Sequence, residues 1–447
     1  MSTALLTDHY ELTMVQAART SGMADRRSVF ELFPRRLPEG RRYGVVAGVG
    51  RALRALEDFV FDDPAIDFLL RTKVVDHDLA TWLSNYRFTG SIWGYAEGEI
   101  YFPGSPLVVV ESTFAEAVLL ETLLLSIYNH DSAIASAASR MSAMADGRPI
   151  IEMGARRTQE YSAVAAARAA YIAGFTSTSN LEAGRTWDIP TSGTAAHSFT
   201  LLHDSEEEAF SAQLATLGED TTLLVDTYDV ETAVRLGVRL TGGRLGAVRL
   251  DSGDLAIAAR EVRDLLDDLG AEDTRIIVTS DLDEWQIAAL RGAPVDGFGV
   301  GTSVVTGSGH PTCGFVYKLV ARADTGTGEL LPVAKKSKNK NTVGGRKYAL
   351  RRRDQNDRAE AEIVGIQAHP TSDGNDRSLL VDLVVDGQVV GHEPIAAARE
   401  RHLAVRAELP RSALRISKGE PAIPTIMLDD DGDVTNNPYV KGPLPQV

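Results

Sequence analysis

Cysteine is almost absent from this sequence. The 447 residues include a single one, Cys313. One cysteine excludes a disulfide within the chain and any zinc site built from several cysteines. We therefore expect a protein suited to a reducing compartment, with Cys313 packed as a small apolar residue.

Long apolar runs and an excess of positive charge are also missing. No apolar run has the length of a membrane-spanning helix, and residues 1–8 lack the charged start and apolar core of a signal peptide. Lys and Arg number 46 against 62 Asp and Glu, giving a net charge of -16. These features predict a cytoplasmic protein that binds neither nucleic acid nor membranes, and any anionic substrate would need a locally positive pocket.

The length exceeds that of one ordinary core, so we expect two or three domains. A helical region is predicted from about residue 110, where Ser112 and Thr113 can cap the first helix. It ends at the helix-terminating sequence Asp-Gly-Arg-Pro at 146–149. Short apolar runs then alternate with amphipathic stretches, which is typical of β-α units in a barrel or a doubly wound sheet. The predicted strands are 149–153, 223–226, 247–251, 275–279 and 295–298, and the predicted helices are 161–171, 230–238, 255–269 and 284–290.

Both chain ends have a mixed pattern, with strands predicted at 91–95 and 107–110. We expect the ends to pack together as a smaller α+β domain, giving limits of 1–110, 111–320 and 321–447. The basic run Lys335–Lys340 is interpreted as a solvated surface strand, with a mobile loop over a ligand as the alternative, and residues 436–447 as a loose tail.

His197 lies among small residues in the segment Gly-Thr-Ala-Ala-His-Ser-Phe at 193–199, just after the turn-prone residues 189–192. Small neighbours let a large ligand approach an imidazole. The histidine could act as a general base, a metal ligand or a nucleophile. Zinc binding is the weakest of these, because no second histidine or cysteine stands nearby in a ligand pattern.

Polar residues follow the predicted strands at 152–157, 226–229, 249–254 and 280–283. Ligand chemistry gathers at the carboxyl ends of barrel strands. Carboxylates there can accept hydrogen bonds from ribose hydroxyls or hold Mg²⁺, and an arginine fork matches a carboxylate or a phosphate. We assign Asp251 to ligand contact, and Asp254 and Asp283 to helix capping.

The glycines at 299 and 301 could let backbone N–H groups approach a phosphate, with a helix starting at Thr302. An ordinary tight turn is the alternative for so short a motif.

Taken together, these segments resemble the nicotinate phosphoribosyltransferase family. The resemblance runs from Leu-Thr-Asp-His-Tyr-Glu-Leu-Thr-Met at 6–14, through Thr-Ser-Asn at 178–180 and the His197 segment, to Val-Tyr-Lys-Leu-Val at 316–320. The motifs stand in the family's order over roughly three quarters of the chain.

The resemblance implies an irregular α/β barrel of the type II phosphoribosyltransferases, joined to a smaller α+β domain built from both chain ends. It implies ATP-coupled transfer of phosphoribosyl from phosphoribosyl pyrophosphate to nicotinate, with Mg²⁺ as cofactor, ATP as co-substrate and a homodimer with shared active sites. The residues that would hold the metal stay open.

The resemblance also carries over site residues. His197 resembles the histidine that ATP phosphorylates, and Asp251 is the second catalytic candidate. Tyr10 resembles an aromatic residue that stacks on the pyridine ring from the neighbouring subunit. The nicotinamide-using relatives are expected to hold the amide with a carboxylate near these positions, whereas Ser179 and Asn180 themselves carry none, which suits an acidic substrate. The remaining substrate-binding candidates are Arg156, Thr194, Arg249, Ser252, Gly253, Gly299, Gly301 and Thr302.

Three alternatives remain at this point. Nicotinamide or quinolinate phosphoribosyl transfer would use the same fold. A sugar-phosphate aldolase or isomerase barrel would need a buried lysine or an acid–base pair at a strand end, for which Lys318 is the suggestive candidate. A non-enzymatic binding protein finds support in the basic run alone.

Overall fold

The alternating segments between residues 149 and 300 form a six-stranded parallel sheet, an incomplete α/β barrel. The computed structural model describes residues 2–335 and 342–439. Each pair of neighbouring strands in this sheet is parallel. In spatial order the strands are Ser177–Thr178, Ile150–Glu152, Gly297–Val300, Arg275–Val278, Ala247–Leu250 and Thr222–Leu224.

Helices connect these strands, and their starts follow the capping pattern of the sequence. Asp254 and Asp283 accept hydrogen bonds from the first-turn N–H groups of their helices, which confirms the predicted caps. A helix begins at Thr302, as predicted. The helices are Glu160–Ile172, Leu181–Trp187, His197–Leu202, Glu206–Leu217, Val230–Thr241, Leu255–Asp268, Glu284–Ala289 and Thr302–Val305, with 3-10 turns at Ala155–Arg157 and Leu290–Gly292.

The chain divides into two compact units, one of residues 1–136 with 310–447 and one of residues 137–309. These divisions differ from the predicted limits at 110 and 320. The strand Arg27–Pro34 pairs with Val108–Thr113 on one side and with Phe315–Ala323 on the other, so both of these neighbours belong to the first unit. The helix Glu121–Met144 runs across the division at 136.

The first unit contains a seven-stranded sheet to which both chain ends contribute. Arg27–Pro34 is antiparallel to Phe315–Ala323, and Ser91–Tyr95 is antiparallel to Leu380–Val385. The expectation that the two ends pack together is therefore confirmed. In spatial order the strands are Leu330–Pro332, Phe315–Ala323, Arg27–Pro34, Val108–Thr113, Ser91–Tyr95, Leu380–Val385 and Gln388–Val389.

A five-stranded sheet and a two-stranded sheet complete the strands of this unit. Their strands are Arg377–Ser378, Lys347–Arg353, Ala359–Ile366, Thr425–Leu428 and Val434–Thr435, and Gly44–Val45 with Ile100–Tyr101. The helices are His9–Thr20, Val49–Glu57, Asp63–Arg71, His77–Ser84, Phe114–Val118 and Ile395–Glu408, with 3-10 turns at Ala4–Leu6 and Arg411–Leu414.

Cys313 is buried in the apolar core of the first unit, as expected. Lys336–Lys340 of the basic run and residues 440–447 of the predicted tail lie outside the described residues. Within the part of the chain that the structure describes, no helix combines the length and apolar character needed to cross a membrane.

Candidate active site

Asp251 lies between the histidine and the glycine-rich strand end. One of its carboxylate oxygens, Oδ2, is 4.0 Å from Nε2 of His197, and the other accepts a hydrogen bond from the hydroxyl of Thr279. Asp251 also lines a small pocket with Gly299 and Gly301. Residues far apart in the sequence thus meet at one end of the parallel sheet.

The imidazole of His197 is oriented from its other side by Thr227. Nδ1 of His197 lies 3.1 Å from the Thr227 hydroxyl oxygen. His197 is the first residue of a helix that the sequence analysis did not predict. Its side chain is 42% exposed, so the ring nitrogens are accessible to a ligand.

Asp226 fixes the backbone that carries Asp251. Its Oδ2 accepts a hydrogen bond from the Asp251 N–H at 2.9 Å and another from the Ser252 hydroxyl at 2.7 Å. Its Oδ1 is buried and has no hydrogen-bond partner among the described residues. An unpaired carboxylate oxygen held away from solvent is ready to accept a cation or a donor.

Arg249 contacts the segment that leads to His197. Its Nη1 donates to the Thr194 hydroxyl at 2.9 Å and its Nη2 to the Ala195 carbonyl at 3.1 Å. Burial lowers the pKa of Arg249, while nearby Asp251 and Asp226 raise it. The guanidinium remains charged at neutral pH, because an arginine pKa starts far above 7.

The pocket at the strand ends has a volume of about 220 Å³. Two cationic side chains, Arg156 and Arg157, and two carboxylates, Asp251 and Asp281, line it. This mixture suits a ligand that carries both anionic groups and hydroxyls. The other lining residues are Met153, Thr279, Ser280, Gly299, Gly301 and Thr302.

Gly299 is required by close packing within the sheet. A Cβ at this position would lie 2.5 Å from Cγ2 of Thr279 and 2.7 Å from Sδ of Met153. From the sequence, Gly299 was expected either to let the backbone approach a phosphate or to form an ordinary turn. The structure gives a further reason for glycine here, because residue 299 lies inside the strand Gly297–Val300, where a side chain would clash.

Ser280 has an unusual backbone conformation at the pocket wall. Its φ of 116° is in a region that residues with a Cβ rarely adopt. Such strain is concentrated at functional sites, where surrounding contacts maintain it. Thr279, immediately before it, belongs to the same wall through its hydrogen bond to Asp251.

Glu152 connects two of the site loops through hydrogen bonds to its carboxylate. It is 1% exposed and accepts hydrogen bonds from the Gly154 N–H at 2.5 Å and from the Thr178 hydroxyl at 2.6 Å. Burial raises its pKa, and the two hydrogen bonds oppose that shift. The loop at 154–157 carries Arg156, and the loop at 178–180 carries Ser179.

The remaining predicted residues have different surroundings. Oδ1 of Asn180 accepts a hydrogen bond from the Ala183 N–H and so caps the helix Leu181–Trp187. Gly253 has a φ of 81°, which favours glycine in the turn after Asp251. Tyr10 belongs to the first unit, on the helix His9–Thr20, and its ring is 45% exposed.

The sequence analysis did not single out Thr227, Thr279, Ser280 or Arg157 as site residues. Each stands next to a predicted strand end, so position alone could have identified them. Thr227 and Thr279 were missed because isolated threonines carry no motif, and their roles depend on contacts between neighbouring strands.

The parallel sheet and this strand-end pocket define an α/β protein with a small-molecule site of enzymatic type. Residues 5–129 match the family model of the nicotinate phosphoribosyltransferase (NAPRTase) N-terminal domain. The nicotinate phosphoribosyltransferase pncB1 of Mycobacterium tuberculosis is 54% identical over 434 residues, covering 94% of each chain. The enzyme of that name from Bacillus subtilis is 37% identical over 385 residues, covering 83% of this chain and 78% of the other.

Solved structures agree with the sequence comparison. The crystal structure of human nicotinic acid phosphoribosyltransferase superimposes with a TM-score of 0.82 at 25% identity, covering 95% of this chain and 98% of the other. The chain belongs to the nicotinate phosphoribosyltransferase family. The predicted family and fold class are confirmed.

Proposed function

We propose that the protein transfers phosphoribosyl from phosphoribosyl pyrophosphate to nicotinate, forming nicotinate mononucleotide and pyrophosphate for NAD synthesis. The relatives at 54% and 37% identity are both named nicotinate phosphoribosyltransferases. One observation carries the proposal: the carboxylate of Asp251 lies 4.0 Å from His197 and also lines the strand-end pocket.

Arg249 is the proposed contact for the nicotinate carboxylate. The guanidinium is largely enclosed, and its Nε has no hydrogen-bond partner among the described residues. A carboxylate would complete its hydrogen bonding with charge-assisted bonds. Nicotinamide lacks this negative charge, so the acid is the preferred substrate.

The strand-end pocket is the proposed site of the ribose phosphate. Arg156, Arg157 and the backbone at 301–302 supply positive charge and N–H donors, while Asp251 and Asp281 can accept from the ribose hydroxyls. The pyridine nitrogen then attacks the anomeric carbon. The new C–N bond forms as the C–O bond to pyrophosphate breaks, and nearby carboxylates stabilise the developing sugar cation.

His197 is the proposed phosphoryl acceptor from ATP. A phosphoryl group on the imidazole would add negative charge and acceptor oxygens beside Asp251, changing the electrostatics of the pocket. Hydrolysis of the N–P bond to phosphate restores the free histidine. In this way the free energy of ATP hydrolysis drives nucleotide formation forward.

Mg²⁺ fits the carboxylates of this site. The buried, unpaired Oδ1 of Asp226 and the carboxylate of Asp251 are hard oxygen donors of the kind this ion prefers. Among the described residues no group of three or more His, Cys, Asp or Glu side chains could hold a metal by itself, which suits an ion that keeps waters and phosphate oxygens as ligands. When bound, Mg²⁺ would neutralise phosphate charge.

A homodimer with shared active sites belongs to the same proposal. Large apolar side chains are exposed near the strand ends, where the following helices begin. A second copy would bury them and could bring Tyr10 to the pyridine ring. The exposed side chains are Tyr161, Leu181, Tyr228 and Ile257. The cytoplasmic location stays a prediction.

The deciding experiment measures ATP hydrolysis with and without nicotinate and phosphoribosyl pyrophosphate, together with acid-labile phosphate on the protein. We expect stimulation by both substrates and phosphate on His197. Nicotinamide and quinolinate are tested in parallel, and faster turnover of either would contradict the proposed substrate.

A further inference from the structure

The side chain of Arg249 has two hydrogen bonds, and both go to the segment before His197. They join Nη1 to the Thr194 hydroxyl and Nη2 to the Ala195 carbonyl. Arg249 forms no ion pair within 4.0 Å in the described part of the chain, although Asp251 follows it two residues later. The arginine assigned to the substrate thus holds the histidine segment.

The segment 193–196 has little else to hold it. In the described structure, none of its backbone N–H groups donates to another backbone group. A Cβ built on Gly193 would find no atom within 4 Å, so the segment is open on that side. Its ends are fixed by the bridge between Thr178 and Thr191 and by the helix that begins at His197.

We propose that Arg249 is a positioning residue for His197, acting through Thr194 and Ala195, and that nicotinate competes for the same guanidinium. This inference rests on the proposed function, which gives Arg249 the substrate carboxylate. When the carboxylate takes the Nη groups, the segment 193–196 loses its side-chain anchor. Nicotinate occupancy and the position of His197 are thereby linked, and the linkage is reciprocal.

This competition explains how ATP use can follow substrate binding without direct contact between nicotinate and ATP. A guanidinium that turns from Thr194 to the substrate releases the chain immediately before the phosphorylated residue. Conversely, any state of His197 that pulls the segment away from Arg249 leaves the cation free for nicotinate. Nicotinate can shift the equilibrium between the anchored and the released segment because it binds Arg249 in the released state only.

The test is the isosteric variant Thr194→Val, which keeps the shape of the side chain but removes the hydroxyl acceptor. Nicotinate binding is measured by calorimetry without ATP or phosphoribosyl pyrophosphate. Loss of one hydrogen bond to a charged group should lower the Kd for nicotinate about threefold to tenfold. Thr194→Ser should restore the wild-type Kd. Thr186→Val removes an exposed hydroxyl that donates to Glu182 within the helix Leu181–Trp187. It is the matched control and should leave the Kd unchanged.

Hydrogen exchange at the start of the His197 helix gives a second readout, because the Phe199 N–H donates to the Ala196 carbonyl at 2.9 Å and reports on the anchored segment. In the wild type, nicotinate should increase exchange of the Phe199 amide, whereas in Thr194→Val its exchange should already be high and respond little. An unchanged or higher Kd in a Thr194→Val protein with wild-type thermal stability would overturn the competition, as would protection of the Phe199 amide by nicotinate. Absence of nicotinate binding to the wild type would instead overturn the proposed substrate.

Discussion

Oδ2 of Asp251 lies 4.0 Å from Nε2 of His197, although the two residues are on different β-α units. The parallel sheet makes this approach possible, because the carboxyl ends of its strands lie at one edge. The same aspartate lines the pocket of the glycine-rich strand end. A change at His197 can therefore reach the substrate pocket through a single side chain.

The first prediction concerns His197. His197→Ala should reduce ATP hydrolysis about a hundredfold or more and remove its coupling to transfer, because no phosphoryl acceptor remains. Slow, uncoupled formation of nicotinate mononucleotide should persist. The measurement is the ratio of ADP to nucleotide formed.

His203→Ala is the control for this variant. His203 lies just after the same helix, and its Nδ1 contacts the Phe199 carbonyl within the helix, away from Asp251. This control should keep full coupling. Coupling that survives in His197→Ala would refute the assignment of the phosphorylated residue.

The second prediction concerns the packing of Gly299. Gly299→Ala should lower the free energy of unfolding by about 1–3 kcal/mol, because its Cβ would overlap Thr279 and Met153. Activity should fall as well, since both neighbours line the pocket. Chemical denaturation measures the change. Gly292→Ala is the control, because a Cβ there meets no atom within 4 Å, and equal stability of the two variants would contradict the packing argument.

The third prediction is a loss of stability in acid caused by His402. Burial lowers the pKa of His402 to about 3, from a usual value of 6.5. Because the unfolded chain binds this proton below about pH 6.5 and the folded chain does not, the free energy of unfolding should fall as pH decreases from 6.5 towards 3. The slope from this residue is at most about 1.4 kcal/mol per pH unit.

Urea unfolding at pH 7 and at pH 4.5 measures this effect. His402→Gln can keep a donor towards the Gly98 carbonyl, which His402 contacts through Nδ1 at 3.1 Å. The variant should lose less stability than the wild type between the two pH values. An identical loss in both proteins would assign the acid sensitivity to other groups.

The sequence predicted five of the six parallel strands because each of the five is a short apolar run between amphipathic stretches, whereas Ser177–Thr178, two polar residues, was missed. The strand Ala247–Leu250, for example, differs from the predicted 247–251 by one residue. The order of the antiparallel strands could not be predicted in this way. Val29 pairs with Ala321, and nothing local in either segment specifies so distant a partner.

The candidate site was predictable to the extent that its residues form motifs or follow strands. His197, Arg249 and Asp251 were found on that basis. The contact of Arg249 with Thr194 was not, because a side chain on one strand meets a distant segment only through the fold. The helix at His197 was missed for a similar reason, since Ala196 at its N-cap provides no side-chain acceptor.

The last prediction concerns Glu152, which accepts hydrogen bonds from the Gly154 N–H and the Thr178 hydroxyl. A carboxylate can accept at both oxygens, whereas the amide of Glu152→Gln presents one oxygen and one NH2 group. If the amide oxygen keeps the Gly154 N–H, the NH2 group meets the Thr178 hydroxyl, which already accepts from the Asn180 N–H at 3.0 Å and would lose the buried acceptor for its own proton. We expect a loss of about 1–3 kcal/mol in the free energy of unfolding and a higher KM for phosphoribosyl pyrophosphate, because the loop at 154–157 carries Arg156.

Glu160→Gln, at an exposed position nearby, is the matched control. Wild-type KM and stability in Glu152→Gln would show that the two loops hold their positions without this carboxylate.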